Sequence, residues 1–206
     1  MRFPIALLLL GSASIVVGQS DSAPQPKLED IAYWGSACPD GGLSMVVGPV
    51  NPTTNSALLT FTLSNFLPTL EGPFGSSLRM CNIVSHVTVE KGWKMKINSR
   101  GTTAQGNAVL PGNATMFFRS TYFFAEIAET QSIGMLDVPG PLSGPFAKLL
   151  TPSDGDAGIV APCTGSELDI EFQARAVKDE TLKALRRRAS NETTWTLSTD
   201  VEILRC

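Results

Sequence analysis

Two stretches near the C-terminal end alternate apolar and polar residues without a break. Residues 167–177 (ELDIEFQARAV) put Leu168, Ile170, Phe172, Ala174 and Ala176 on one side of an extended chain, and Glu167, Asp169, Glu171, Gln173 and Arg175 on the other. Residues 193–205 (TTWTLSTDVEILR) do the same with Trp195, Leu197, Thr199, Val201 and Ile203. Period-two alternation marks strands with one buried face. Laid antiparallel as a hairpin, the two stretches set Phe172 opposite Leu197 and Leu168 opposite Val201, apolar on apolar. The same register sets Cys163 opposite Cys206. Pattern and cysteine position therefore agree on a Cys163–Cys206 bridge, which leaves Cys38 and Cys81 for each other.

Further strand candidates run through the rest of the chain. They are Leu43 to Val47, Ala57 to Leu63, Met80 to Glu90, the alternating Trp93, Met95 and Ile97, Thr115 to Ala125, and Ile133 to Val138. Turn signals separate them: Asp40-Gly41-Gly42, Asn51-Pro52, Lys91-Gly92, Gly101, Pro111-Gly112, Pro139-Gly140 and Asp154-Gly155. Many short strands with recurring turns predict an all-β fold, an antiparallel β-sandwich of the Greek-key, immunoglobulin-like or jelly-roll type. At most one short helix is expected, near 178–188, where KDETLKALRRR is rich in helix formers. Its Arg186-Arg187-Arg188 run also fits a dibasic processing protease.

The N-terminus reads as an address. Arg2 precedes an apolar run from Ile5 to Leu10, interrupted by Gly11, Ser12 and Ser14 and closed by small residues up to Gly18. This is the pattern of a secretory signal peptide over 1–18, too short and broken for a membrane span. A polar, Pro-containing flexible lead-in follows over 19–30, then a single domain over 31–206. Export to an oxidising compartment makes two disulfides the expected state of four isolated cysteines; without a CxxC pair, zinc is disfavoured. Each bridge joins residues 43 positions apart, worth about 4 kcal/mol in the chain-entropy model. Asn113-Ala114-Thr115 and Asn191-Glu192-Thr193 are N-glycosylation acceptors. A net charge of −3 and a pI near 5.2 exclude a nonspecific nucleic-acid binder.

Gly35-Ser36-Ala37-Cys38-Pro39 with the following Gly-Gly turn, Leu59-Thr60-Phe61-Thr62-Leu63 with Phe66, the Cys81 strand, Thr121-Tyr122-Phe123-Phe124, Pro162-Cys163, Trp195 and the terminal Cys206 form one layout. It resembles the secreted four-cysteine proteins of filamentous fungi grouped as "domain of unknown function 4360". The resemblance spans about residues 31–206 and implies a small secreted β-protein with no activity to carry over.

Catalytic signals are thin. The single histidine, His86, reads as a surface strand residue, and no Gly-x-Ser-x-Gly elbow is present. The hairpin register gathers Glu167, Asp169, Glu171, Asp200 and Glu202 into one acidic face. Like charges opposite one another need an offset, and Lys94 and Lys96 on a neighbouring strand would supply it. A calcium ion is the alternative neutraliser; otherwise no cofactor or metal is expected. Tyr33, Trp34 and Trp93 are the candidate ligand-binding aromatics. The expectation is a secreted, non-catalytic binding or cell-surface module, with a polysaccharide or a surface protein as partner. The rivals are a glycan-active hydrolase built on the acidic residues and a fungal effector that binds a host protein.

Overall fold

Strands form wherever the chain alternates, and their apolar sides meet in one core. The structure, a computed structural model, describes residues 22–68, 70, 77–163, 165–178 and 194–206. Among these are eleven strands: β1 Lys27–Trp34, β2 Leu43–Val47, β3 Ser56–Leu63, β4 Ser77–Thr88, β5 Trp93–Leu110, β6 Ala114–Phe124, β7 Gln131–Pro139, β8 Leu142–Pro152, β9 Ile159–Val160, β10 Ser166–Lys178 and β11 Trp195–Arg205. A single 3-10 turn, Ala125–Ile127, follows β6. Of the expected helix near 178–188 only Lys178 is described, as the last residue of β10; the rest, and Asn191, lie outside the described residues.

Every pairing is antiparallel. A front sheet runs β1-β4-β10-β6-β7, and a back sheet runs β8-β5-β11-β3-β2. Strand β8 turns the corner: Leu142 to Leu150 pair with β5, while Thr151 and Pro152 pair with β7. The result is a sandwich close to a barrel, open between edge strands β1 and β2. Gln25 spans that opening, its amide donating to the Gly48 carbonyl (2.9 Å) and accepting from the Val50 N–H (3.1 Å). Sheet structure thus begins before Ile31, with β1 paired to β4 from Lys27 onward.

The two alternating C-terminal strands do not pair with each other. Strand β10 lies between β4 and β6 in the front sheet, whereas β11 lies between β3 and β5 in the back sheet. Both alternate because both face the same core from opposite sides. Phe172 of β10 meets Phe61 of β3 edge to face across the sandwich, with ring centroids 4.9 Å apart. Trp195, fully buried, packs with Phe66, Phe118 and Phe146. Gly106 makes room for it: a Cβ there would stand 2.5 Å from the indole.

Both expected disulfides are present. Cys38 binds Cys81 (Cα–Cα 5.4 Å), tying the segment after β1 to β4. Cys163 binds Cys206 (Cα–Cα 5.9 Å) without a hairpin beneath it. Strands β9 and β11 flank the start of β5 on either side, with Ala161 N–H bonded to Met95 O and Cys206 N–H to Gly92 O. The bridge closes beneath that start.

Strand β5 carries a large bulge. Thr199 pairs with Thr102 and Val201 with Ile97, so residues 98–101 all loop out opposite Asp200. Asn98 (φ 63°) and Gly101 (φ 89°) supply the left-handed turns. Asp200 holds the loop, accepting from Arg100 N–H (3.0 Å) and Ser99 Oγ (2.6 Å). Inside, Asn98 links Ser132, Thr102 and Thr199, and Thr102 meets the buried Tyr122 hydroxyl at 2.7 Å. Burial raises the Tyr122 pKa, so the phenol stays a neutral member of this network.

Candidate functional site on the outer front sheet

Topology divides the expected acidic face. Glu167, Asp169 and Glu171 project outward from β10 in the front sheet, while Asp200 and Glu202 belong to β11 in the back sheet. The hairpin that would have joined them is absent. Glu202 lies 3.9 Å from Lys96, the cross-strand partner expected to neutralise it. Asp200 is occupied by the bulge and by Arg100 Nε at 3.4 Å. Among the described residues no three His, Cys, Asp or Glu side chains group to hold a metal ion.

The front-sheet carboxylates have other company. Cross-strand register places Trp34 of β1, Asn82 of β4, Glu171 of β10 and Thr121 of β6 in one row. The adjacent row holds Val84, Asp169, Phe123 and Gln131. The row on the other side holds Met80, Gln173, Arg119 and Met135. Between them lies a shallow hollow of about 330 Å³, lined by Trp34, Asn82, Arg119, Thr121, Phe123, Gln131, Asp169 and Glu171, with Ile83 and Ile170 beneath.

Trp34 is 55% exposed yet held in place. With the Asn82 amide turned to satisfy both neighbours, its oxygen accepts from Trp34 Nε1 (3.3 Å) and its nitrogen donates to Glu171 Oε2 (3.2 Å). Gln173 Nε2 donates to the other Glu171 oxygen. A hydrogen-bonded chain thus crosses three strands and ends on the indole. Gly35, at φ 135°, turns the backbone immediately after Trp34, where a Cβ would stand 2.1 Å from the Met80 carbonyl oxygen.

Asp169 is the uncompensated group. Its ladder neighbours are Val84 and Phe123, and it has neither a hydrogen-bond donor nor a basic partner among the described residues. Burial raises its pKa, and the charge of Glu167 raises it further. Two other lining groups lack partners: Arg119 Nε and Thr121 Oγ1 are buried without a hydrogen bond.

The remaining sequence candidates sit elsewhere. Tyr33 is adjacent to Trp34 and therefore on the opposite face; it packs against the core while its hydroxyl accepts from Gly41 N–H (3.0 Å). Trp93 is buried at the start of β5, with the Arg205 guanidinium 3.8 Å from its ring centre. His86 is exposed, between Glu29 of β1 and Glu167 of β10. Ser166 donates to the nearby Glu126 and holds that carboxyl below its usual pKa, with a smaller contribution from His86. Asn113 is half-buried in the turn before β6. Asn82, Arg119, Thr121, Phe123 and Gln131 are site residues that sequence reasoning passed over. Strand alternation places each on an outer face, but choosing that face requires knowing which strands are neighbours.

The family model described as "Domain of unknown function (DUF4360)" matches residues 24–206. The chain belongs to this family. No curated protein matches the DUF4360 chain by sequence. Among solved structures it is distantly similar to a family 11 carbohydrate-binding module from Clostridium thermocellum in complex with a β-1,3-1,4-mixed-linked tetrasaccharide. That match has 11% identity and a TM-score of 0.21, covering 88% of this chain and 97% of the other. It is also similar to the infectious bursal disease virus VP2 subviral particle, at 11% identity and a TM-score of 0.23, covering 97% of this chain and 46% of that one. Likenesses this slight carry no functional weight.

Proposed function

We propose that this DUF4360 chain is a secreted, non-catalytic binding module that takes an extended polysaccharide on the outer front sheet, at or near a cell surface. One observation carries the reading: Trp34 is exposed, fixed by the Asn82–Glu171–Gln173 chain, and set beside a hollow lined by planar polar groups. A large aromatic left in water and immobilised loses both hydrophobic burial and side-chain entropy. A sugar ring stacked on it recovers the first, and the entropy is already spent before binding. Trp34 on β1 and Phe123 on β6 lie three strand spacings apart, about 14 Å. That span suits several sugar units better than a single one.

Export by residues 1–18, a lead-in that ends where β1 begins at Lys27, oxidative closure of the two disulfides, fungal origin, and glycans on Asn113 and Asn191 belong to the same reading. Asn113 lies in the turn at one end of β6, so a glycan there stays off the front face. Cosedimentation with insoluble chitin, chitosan, β-glucan and cellulose tests the proposal. Retention on at least one polymer, lost in Trp34→Ala, is expected; failure on all four would remove it.

A second reading has one observation in its favour. Asp169 and Glu171 share one outer face two residues apart, one carboxyl raised in pKa by burial and the other hydrogen-bonded by Asn82 and Gln173. Carboxylates in unlike environments are the raw material of glycoside hydrolysis. Asp200 takes no part in such a pair, because β10 and β11 lie in different sheets. Release of reducing ends from a glycan panel, abolished by Asp169→Asn, would favour the hydrolase.

A further inference from the structure

Asp169 stands between Val84 and Phe123 with no donor and no cation among the described residues, in a hollow whose rim carries the exposed indole of Trp34. We propose that this hollow takes a protonated amine, so that the preferred polysaccharide is an amino-sugar polymer with free ammonium groups, with Asp169 as counter-ion, the Phe123 ring beside it, and Trp34 stacking on a neighbouring sugar unit. The inference rests on the polysaccharide-binding reading and specifies its ligand class.

Three features support it. Glu167, Asp169 and Glu171 project from one face of β10, so the field at the Asp169 end is negative. Aromatic rings beside a carboxylate favour a cation over a neutral hydroxyl, because the ring face and the carboxylate both attract positive charge. Independently of the carboxylates, Thr121 is only 5% exposed and lines the same hollow, with its hydroxyl unpartnered. Such a group awaits a polar ligand atom. Arg119, the basic group of the hollow, belongs to the row beyond Glu171. Along β6 its backbone stands four residues from Phe123, about 13 Å, and its charge is not among those acting on Asp169. A neutral glucan offers Asp169 only hydroxyl donors, whereas an ammonium group also neutralises its charge.

Titration calorimetry on the full chain at low salt tests this, with glucosamine tetramer, N-acetylglucosamine tetramer, cellotetraose and a lysine tetrapeptide as probes. Glucosamine tetramer should bind about tenfold more tightly than either neutral tetramer. Asp169→Asn should erase that preference, and Asp154→Asn, the same charge change in an exposed turn, should leave it intact. Equal binding of charged and neutral tetramers that is lost in Trp34→Ala would overturn the amine proposal and leave the polysaccharide reading standing. Binding of the lysine peptide alone, or of no probe, would overturn both. An equal loss in Asp154→Asn would also overturn the proposal, since net charge and not the hollow would then be responsible.

Discussion

Asp169 has a stability signature that can be read without any ligand. Its folded pKa lies above the ordinary aspartate value because burial between apolar neighbours, and then the Glu167 charge, disfavour ionisation. The folded state therefore holds its proton to higher pH than the unfolded chain does. Stability from this group is present at low pH and is lost as pH rises from the ordinary aspartate range through the raised value. Asp169→Asn should raise the melting temperature at neutral pH, with the gain shrinking toward acid; a lower melting temperature at neutral pH would contradict the assignment. Asp200 has a structural role instead: its carboxylate ties down the β5 bulge through Arg100 N–H and Ser99 Oγ. Asp200→Ala should cost roughly 1–3 kcal/mol in chemical denaturation. Both residues looked alike in sequence, as acids on the polar side of an alternating strand. Their different roles come from which sheet each strand joined, and alternation specifies a face without specifying a neighbour.

At the scale of elements, the strands with strong apolar alternation were legible: β2, β3, β4, β6, β10 and β11 fall close to where periodicity puts them. Strand β1 escaped notice because Asp30 (φ 51°) and Ile31 sit in a bulge between Glu29 and Ala32, which breaks the alternation. The second half of β5 and all of β8 are rich in Gly, Thr, Ala and Pro, and Gly101 reads as a turn when it is the end of a bulge inside one long strand. The expected hairpin failed for a general reason. Any two strands facing one core from opposite sheets present matching apolar faces, so an apolar-on-apolar register between them is no proof of hydrogen bonding. Gly106 shows how tightly β5 is fitted to β11. Adding a methyl group in Gly106→Ala would meet the Trp195 indole at 2.5 Å and should destabilise by about 1–3 kcal/mol. Near-ultraviolet circular dichroism should report the displaced tryptophan.

For the whole molecule, two sulfur bridges act on different parts of the sandwich. Cys38–Cys81 fixes the end of edge strand β1 beside the front-sheet hollow, and Cys163–Cys206 clasps the start of β5 in the opposite sheet. Their pairing was readable even though the hairpin invoked for one of them does not exist, because the bridge needs only that two chain ends converge on the same strand end. Removing Cys163–Cys206 with paired serines should lower stability by about 2–4 kcal/mol while leaving the proposed glycan binding at Trp34 intact. Removing Cys38–Cys81 should weaken both. The molecule also contains its own reporter. Trp93 and Trp195 are buried, while Trp34 is open to solvent at the proposed site. Titrating soluble β-glucan and glucosamine oligomers while following tryptophan emission should give a saturable blue shift that disappears in Trp34→Phe. An unchanged spectrum under conditions where the chain demonstrably binds glycan would place the binding surface elsewhere and contradict the account.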